Sequence, residues 1–296
     1  MPKAIINGFE MYYETKGKGF PLVHIHGGFG GLGTGVMETE APPWRDRFAE
    51  HFEVITYDRR AAGRSSYPED GFTMENFAKD VRELLRHLGH ERAHIWGTSA
   101  GGQIALCFGL EYPEAAASLV IADSAPWLSP DEELKAKLRR RIRILKEQGP
   151  EAAYQARAAE GTVGLNIFVG RPPRSEEERR SLEEMLERTR AQLKQIPREE
   201  RIAKYAGELR NYSAYVDWDA TPRLKELKPP AMVIYGTEDS VFPAQGNRTM
   251  IQLIPNVEYK SFEGAEHGVT AEYPEALDLI FSFLKRYTPQ KSRASY

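Results

Sequence analysis

One hexapeptide constrains this 296-residue chain more than any other stretch of it. Gly97-Thr98-Ser99-Ala100-Gly101-Gly102 follows the apolar run Ala93-His94-Ile95-Trp96 and precedes an alanine- and leucine-rich segment. The run predicts a buried strand and residues 103–110 a helix, so the chain must reverse direction within a few residues. A turn that tight holds the serine in strained dihedrals and lifts its hydroxyl clear of the backbone. Glycines two before and two after it remove side chains that would collide there. This G-x-S-x-G arrangement is the pattern of a nucleophile elbow, and it nominates Ser99 as a nucleophile. Bare, the pattern also arises by chance in glycine-rich loops, so the weight falls on its setting and its partners.

The setting is a chain of short strands alternating with helices. Ala4-Ile5-Ile6 and Met11-Tyr12-Tyr13-Glu14-Thr15 read as strands joined by the turn Asn7-Gly8. Further strands are expected at Leu22-Val23-His24-Ile25-His26, Glu53-Val54-Ile55-Thr56-Tyr57, Ser118-Leu119-Val120-Ile121-Ala122, Ala231-Met232-Val233-Ile234-Tyr235 and residues 257–262. Helices are expected over 44–51, around Phe77, Val81, Leu84, Leu85 and Leu88, over 244–253 and over 276–287. Such alternation implies an α/β fold with a parallel sheet covered on both faces.

Between 129 and 223 the alternation stops. Stripes at Leu134-Leu138-Ile142-Leu145 and Leu182-Met185-Leu186-Leu193 are helical, and Pro172-Pro173 and Pro197 separate helices. The expected organisation is a core from 1–128 and 224–290, a helical cap from 129–223 over the carboxyl edge of the sheet, and a frayed tail at 291–296. A second domain unrelated to the site is the alternative reading of the insertion.

A net charge of −3 supplies no basic field to draw nucleic acid, and no apolar stretch has the length of a membrane span. The segment Met1-Pro2-Lys3-Ala4-Ile5-Ile6-Asn7 lacks the apolar core of a signal peptide, so a cytoplasmic protein is expected. The single cysteine, Cys107, excludes an internal disulfide and a cysteine-based zinc site. His24 and His26 alternate on a strand and cannot share a metal. No metal or organic cofactor is expected, the partner is a small-molecule substrate, and oligomeric state is not legible.

A serine hydroxyl needs a base within hydrogen-bond reach, and the base needs an orienting partner. Asp239 follows one strand end, in Tyr235-Gly236-Thr237-Glu238-Asp239-Ser240, and His267 another, in Gly264-Ala265-Glu266-His267-Gly268. Each residue type is common in loops, so it is co-occurrence at three strand ends, in the order Ser, Asp, His, that lifts all three. Glu238 and Asp123 are rival acids, with Asp239 preferred. The glycine-rich His26-Gly27-Gly28-Phe29-Gly30-Gly31 offers Gly28 N–H, or else Phe29 N–H, as an oxyanion donor. Ala100 N–H, at a helix start, offers the other. A phosphate-binding glycine loop is the competing reading of that segment.

The segments His26-Gly27-Gly28, Asp58-Arg59-Arg60-Ala61-Ala62-Gly63-Arg64-Ser65, Gly97-Thr98-Ser99-Ala100-Gly101-Gly102, Tyr235-Gly236-Thr237-Glu238-Asp239 and Gly264-Ala265-Glu266-His267 resemble the α/β-hydrolase superfamily. The likeness covers both core blocks. It implies an eight-stranded, mostly parallel sheet with a helical cap inserted after the sixth strand, and a triad of Ser99, Asp239 and His267. The family usually has glycine where Ala61 stands, and it treats 58–65 as a structural loop. His26-Gly27-Gly28-Phe29-Gly30 is similar to the H-G-G-P-G of proline iminopeptidases, with Phe29 in place of the proline and Ala100 where those enzymes usually carry tryptophan. The expected activity is a carboxylesterase-type serine hydrolase. Aminopeptidase or amidase, C–C bond hydrolase, lactonase, haloperoxidase and acyltransferase readings stay open on the same triad, as does a ligand-binding module without turnover. Phe29, Trp127 and Phe242 are expected apolar walls of the substrate pocket, with Tyr212, Tyr215 and Trp218 as its cover. An amine-binding site would need an acid such as Glu151, Glu160 or Glu208.

Overall fold

A computed structural model describes residues 3–31, 44–159 and 175–289, except positions 177–178, 181–182, 185–186, 188–190 and 192–193. The chain opens on a hairpin of β1 (Lys3–Ile6) and β2 (Phe9–Lys16), whose turn residues Asn7 and Gly8 have φ of 45° and 83°. Positive φ at both positions matches the twist of the flanking strands, and asparagine and glycine tolerate it best.

The remaining strands are β3 (Phe20–Ile25), β4 (Phe52–Tyr57), β5 (Ala93–Thr98), β6 (Ala116–Ala122), β7 (Ala231–Gly236) and β8 (Val257–Phe262). They form one eight-stranded sheet in the order β1-β2-β4-β3-β5-β6-β7-β8. β2 pairs antiparallel with β1 and β4, and all other neighbours run parallel.

Consecutive apolar residues in each central strand serve opposite faces. Leu22, Val54, Trp96, Val120 and Ile234 pack with Trp44 and Phe48 of α1 (Trp44–Ala49) and Ile280, Phe283 and Leu284 of α8 (Pro274–Tyr287). Val23, Ile55, Ile95, Leu119 and Val233 pack with Val81, Leu84 and Leu85 of α2 (Met74–His87) and Ile104, Leu106 and Phe108 of α3 (Ala100–Glu111). Burial on both faces is why these strands read as unbroken apolar runs. The helix expected from 103 begins three residues earlier, at Ala100, because Gly101 and Gly102 let its first turn lie against the sheet edge.

Between β6 and β7 the chain leaves the sheet and forms α4 (Glu132–Ala159) and α5 (Arg198–Tyr215), which pack on each other. Leu138, Ile142 and Leu145 of the first stripe are buried. α4 breaks at Gly149, whose φ of 88° ends one helix just before Pro150 opens the next. The Trp127–Asp219 bridge and a 2.8 Å bond from Ala220 N–H to Pro126 O set the entry and exit of this helical insertion side by side. The stripe at 182–193, Pro172-Pro173, Glu160 and the tail at 291–296 lie outside the described residues. Two further helices, α6 (Ala244–Leu253) and α7 (Val269–Glu272), follow β7 and β8. Among the described residues no helix is long and apolar enough to cross a membrane.

Parallel strands end at one edge, so the loops after β3, β5, β6, β7 and β8 meet there. Those loops carry Gly28, Ser99, Asp123, Asp239 and His267.

Candidate active site

Ser99 stands between β5 and α3 with φ 55° and ψ −127°, a backbone that a residue with a side chain adopts only under strain. The surrounding packing holds it there. A Cβ on Gly97 would lie 2.2 Å from Gly101 O, and one on Gly101 would lie 2.2 Å from Ile25 O. Those two approaches bring α3 against the ends of β3 and β5, while Ser99 N–H donates to Ala122 O at 2.8 Å. The strain is thus distributed over three strand ends.

The imidazole of His267 is shared between an acid and that serine. His267 Nδ1 is 2.8 Å from Asp239 Oδ2, and Nε2 is 3.1 Å from Ser99 Oγ. Asp239 Oδ1 accepts the backbone N–H groups of Val241 and Phe242, each at 2.8 Å, so the fully buried carboxylate is locked in one orientation. Burial disfavours the His267 imidazolium, but the Asp239 hydrogen bond and the charges of Asp239 and Asp123 outweigh it. The His267 pKa is raised as a result.

The rival acids sit differently. Glu238 is exposed. Asp123 is buried with φ 49°, and its Oδ1 accepts Val269 N–H at 3.2 Å, two residues beyond His267. Burial pushes the Asp123 carboxyl up to about 6. It holds the backbone that carries the imidazole rather than the imidazole itself.

The loop after β3 closes on the serine from the other side. A Cβ on Gly27 would fall 2.9 Å from Ser99 Cβ and 3.5 Å from Ser99 Oγ, so only glycine allows this approach. Among the described residues, neither Gly28 N–H nor Ala100 N–H meets an acceptor. Phe29 stacks on Tyr212 at 4.3 Å and meets Tyr215 edge-on at 5.0 Å, both on α5. Phe242 lies 6.0 Å from the His267 ring. Trp127 and Trp218 instead line a cleft of about 430 Å³ with Leu128, Lys135 and Gln245. None of Ser99, Asp239 or His267 is in its walls. Phe29 and Phe242 are not in its walls either.

Sequence reasoning passed over Arg59 and the inward role of His26, having treated 58–65 as structural. The signal available was an arginine two residues past the end of β4, at the same sheet edge. Ala61, in the family's glycine position, has φ 54°, which accounts for that preference. No group of three or more His, Cys, Asp or Glu able to hold a metal ion occurs among the described residues.

Residues 21–272 match the model of the alpha/beta hydrolase fold. The chain is 25% identical over 280 residues to a protein named putative carbamate hydrolase RutD from Caulobacter vibrioides, covering 93% of this chain and 95% of that one. It is 26% identical to a non-heme chloroperoxidase of Streptomyces lividans, covering 94% and 97%. The solved structure of a hydrolase from Pseudomonas aeruginosa PA01 aligns with a TM-score of 0.71 at 26% identity, over 96% of this chain and 97% of that one. With the match running through most of its length, and the sheet order and helical insertion described above, the chain belongs to the alpha/beta hydrolase fold family.

Proposed function

We propose that this protein is a serine hydrolase that cleaves a carboxylic ester of a small molecule through an acyl-enzyme on Ser99. The observation that carries the proposal is the unbroken hydrogen-bond chain from Asp239 through His267 to a half-buried serine held in a strained turn. Ser99 Oγ attacks the carbonyl carbon as His267 Nε2 takes its proton. The bond to the alkoxy group then breaks, and His267 returns the proton to the departing alcohol. Water, deprotonated in turn by His267, releases the acid and restores Ser99. Asp239 favours the imidazolium formed in both steps, in keeping with the raised His267 pKa. Gly28 N–H and Ala100 N–H are the assigned donors to the tetrahedral oxyanion, and losing one such donor costs about 2.7–4 kcal/mol of barrier. The helical insertion at 129–223 is the assigned cap, with Phe29 and Phe242 as apolar walls. Trp127 is the third assigned wall.

Of the nominated acids, the two among the described residues, Glu151 and Glu208, favour an ester over an aminoacyl amide. Glu151 is engaged by Arg198 on the surface. Glu208 is buried near Arg157 and Arg141, and burial pushes its carboxyl up to about 8 despite both cations. A mostly protonated carboxyl beside two guanidiniums is a poor receptor for a substrate ammonium. Ser99 also argues against epoxide chemistry, which this fold performs with an aspartate nucleophile. A carbamate, the substrate class in the name of the Caulobacter relative, is the second reading, since the same triad would attack its carbonyl.

The test is activity profiling over p-nitrophenyl esters, lactones, carbamates and aminoacyl amides, with Ser99→Ala as control. The proposal expects ester turnover that Ser99→Ala abolishes. Turnover unchanged in Ser99→Ala rejects it.

A further inference from the structure

Arg59 leaves the end of β4 and turns inward, 3% exposed, against the loop after β3. Its guanidinium meets three neutral acceptors. Nη2 donates to Gly27 O at 3.3 Å and, more closely, to Gly28 O, while Nη1 donates to the Tyr215 hydroxyl. Among the described residues it makes no ion pair, and its Nε has no partner. A buried cation without a counter-ion is costly, so the hydrogen bonds to these neutral acceptors are what hold the guanidinium here.

Its backbone works on the same loop. Arg59 N–H donates to His26 Nε2 at 3.2 Å, and His26 Nδ1 lies 2.7 Å from Gly27 O. A backbone N–H only donates, so Nε2 is the acceptor and Nδ1 carries the proton. Burial, with the Arg59 charge, keeps the ring neutral by holding its pKa well below the usual value. Gly27 O therefore receives two donors, the imidazole and the guanidinium. In a trans peptide the N–H opposes the C=O, so pinning Gly27 O to Arg59 and His26 turns Gly28 N–H away from both. Donors on that carbonyl also polarise the peptide and sharpen its N–H as a donor.

We propose that Arg59 is a positioning residue that aims and polarises the Gly28 N–H toward the developing oxyanion. Through Tyr215 it ties this alignment to the helical insertion. The inference rests on the acyl-enzyme reading above. Arg59 touches no substrate; it acts through the Gly27–Gly28 peptide, and Tyr215 holds its other arm from α5. Seating of the insertion and competence of the oxyanion site are thereby one event.

The experiment compares Arg59→Met, Arg59→Lys and Tyr215→Phe on p-nitrophenyl acetate, with inhibition by an aryl trifluoromethyl ketone, which forms an oxyanionic adduct on a serine. Arg59→Met should lower kcat about 10- to 100-fold with KM within about threefold, and weaken the ketone by a matching factor. Arg59→Lys, which keeps charge without the fork, should recover part of the loss. Tyr215→Phe should lower kcat about threefold or more at unchanged KM, and it decides the matter if Arg59→Met does not fold. A folded variant with wild-type kcat and ketone affinity overturns the proposal, as does a rise in KM alone. Ser99→Ala runs in parallel. Activity surviving there sinks the acyl-enzyme reading itself, whereas an inactive Ser99→Ala beside a fully active Arg59→Met sinks only the role of Arg59.

Discussion

Replacing Asp239 by asparagine keeps the size and shape of the side chain, so its effect can be worked out from contacts alone. The carboxylate accepts on both oxygens: two backbone N–H groups on Oδ1 and the His267 Nδ1–H on Oδ2. An asparagine has one oxygen and one NH2 to divide between them. Turning the NH2 toward Val241 and Phe242 would leave two buried N–H donors facing a donor, at a cost of about 1–3 kcal/mol each. The oxygen therefore stays on the backbone and the NH2 faces His267 Nδ1. That nitrogen must then become an acceptor, which moves the imidazole proton to Nε2, the atom 3.1 Å from Ser99 Oγ. A protonated Nε2 cannot take the serine proton. Triads with the wrong tautomer lose about 10⁴ in kcat, a barrier increase of about 5.5 kcal/mol. Asp123→Asn should cost less than about tenfold, because Asp123 touches the backbone at Val269 and not the imidazole. Steady-state kinetics on p-nitrophenyl acetate, with circular dichroism to confirm folding, decides between them. An active Asp239→Asn beside an inactive Asp123→Asn would refute the reasoning and move the acid to the end of β6.

The raised His267 pKa sets the acid limb of the activity profile. Only the neutral imidazole accepts a proton, so kcat/KM should fall as pH drops through a value above 6.5, and an apparent pKa below that contradicts the Asp239 pairing. Gly101→Ala places a methyl 2.2 Å from Ile25 O and 2.6 Å from His26 O, both backbone atoms. A loss of about 3 kcal/mol or more is expected in urea unfolding, and a wild-type midpoint would mean that the elbow is looser than described. Arg60 bonds Asp80 at 2.6 and 2.9 Å in a pair almost wholly buried, with Asn7 at 2.7 Å from the same carboxylate. Arg60→Met should destabilise the protein by about 3–5 kcal/mol, with Asp80 left charged or forced to take a proton; a denaturation midpoint near wild type refutes that pairing.

Legibility followed how local the determining forces are. β7 and its neighbours stood out because burial on both sheet faces demands apolar residues at every position, a signal complete within six residues. The first helical turn after Ser99 carries little propensity signal because glycines weaken helices, while here Gly101 allows contact with Ile25 O and Gly102 with Ser124. Trp127 is expected as a pocket wall from its place after a strand end, and its neighbours in the cleft come from both ends of the insertion and from α6. Such partners leave no local trace.

By itself, then, the sequence determined the alternating architecture, the interruption at 129–223, and the loop residues available for chemistry at one sheet edge. Patterning and turn chemistry encode these within short windows. The tertiary structure set the contacts: Asp239 rather than Asp123 against the imidazole, Gly27 flush with Ser99, and Arg59, without an ion pair among the described residues, beneath the loop. Those choices depend on distances between residues 28 to 168 positions apart, or, for Gly27, on a space left by a missing side chain. Hydrogen-bond geometry at 3 Å is set by how whole elements pack, and no stretch of sequence carries that information alone.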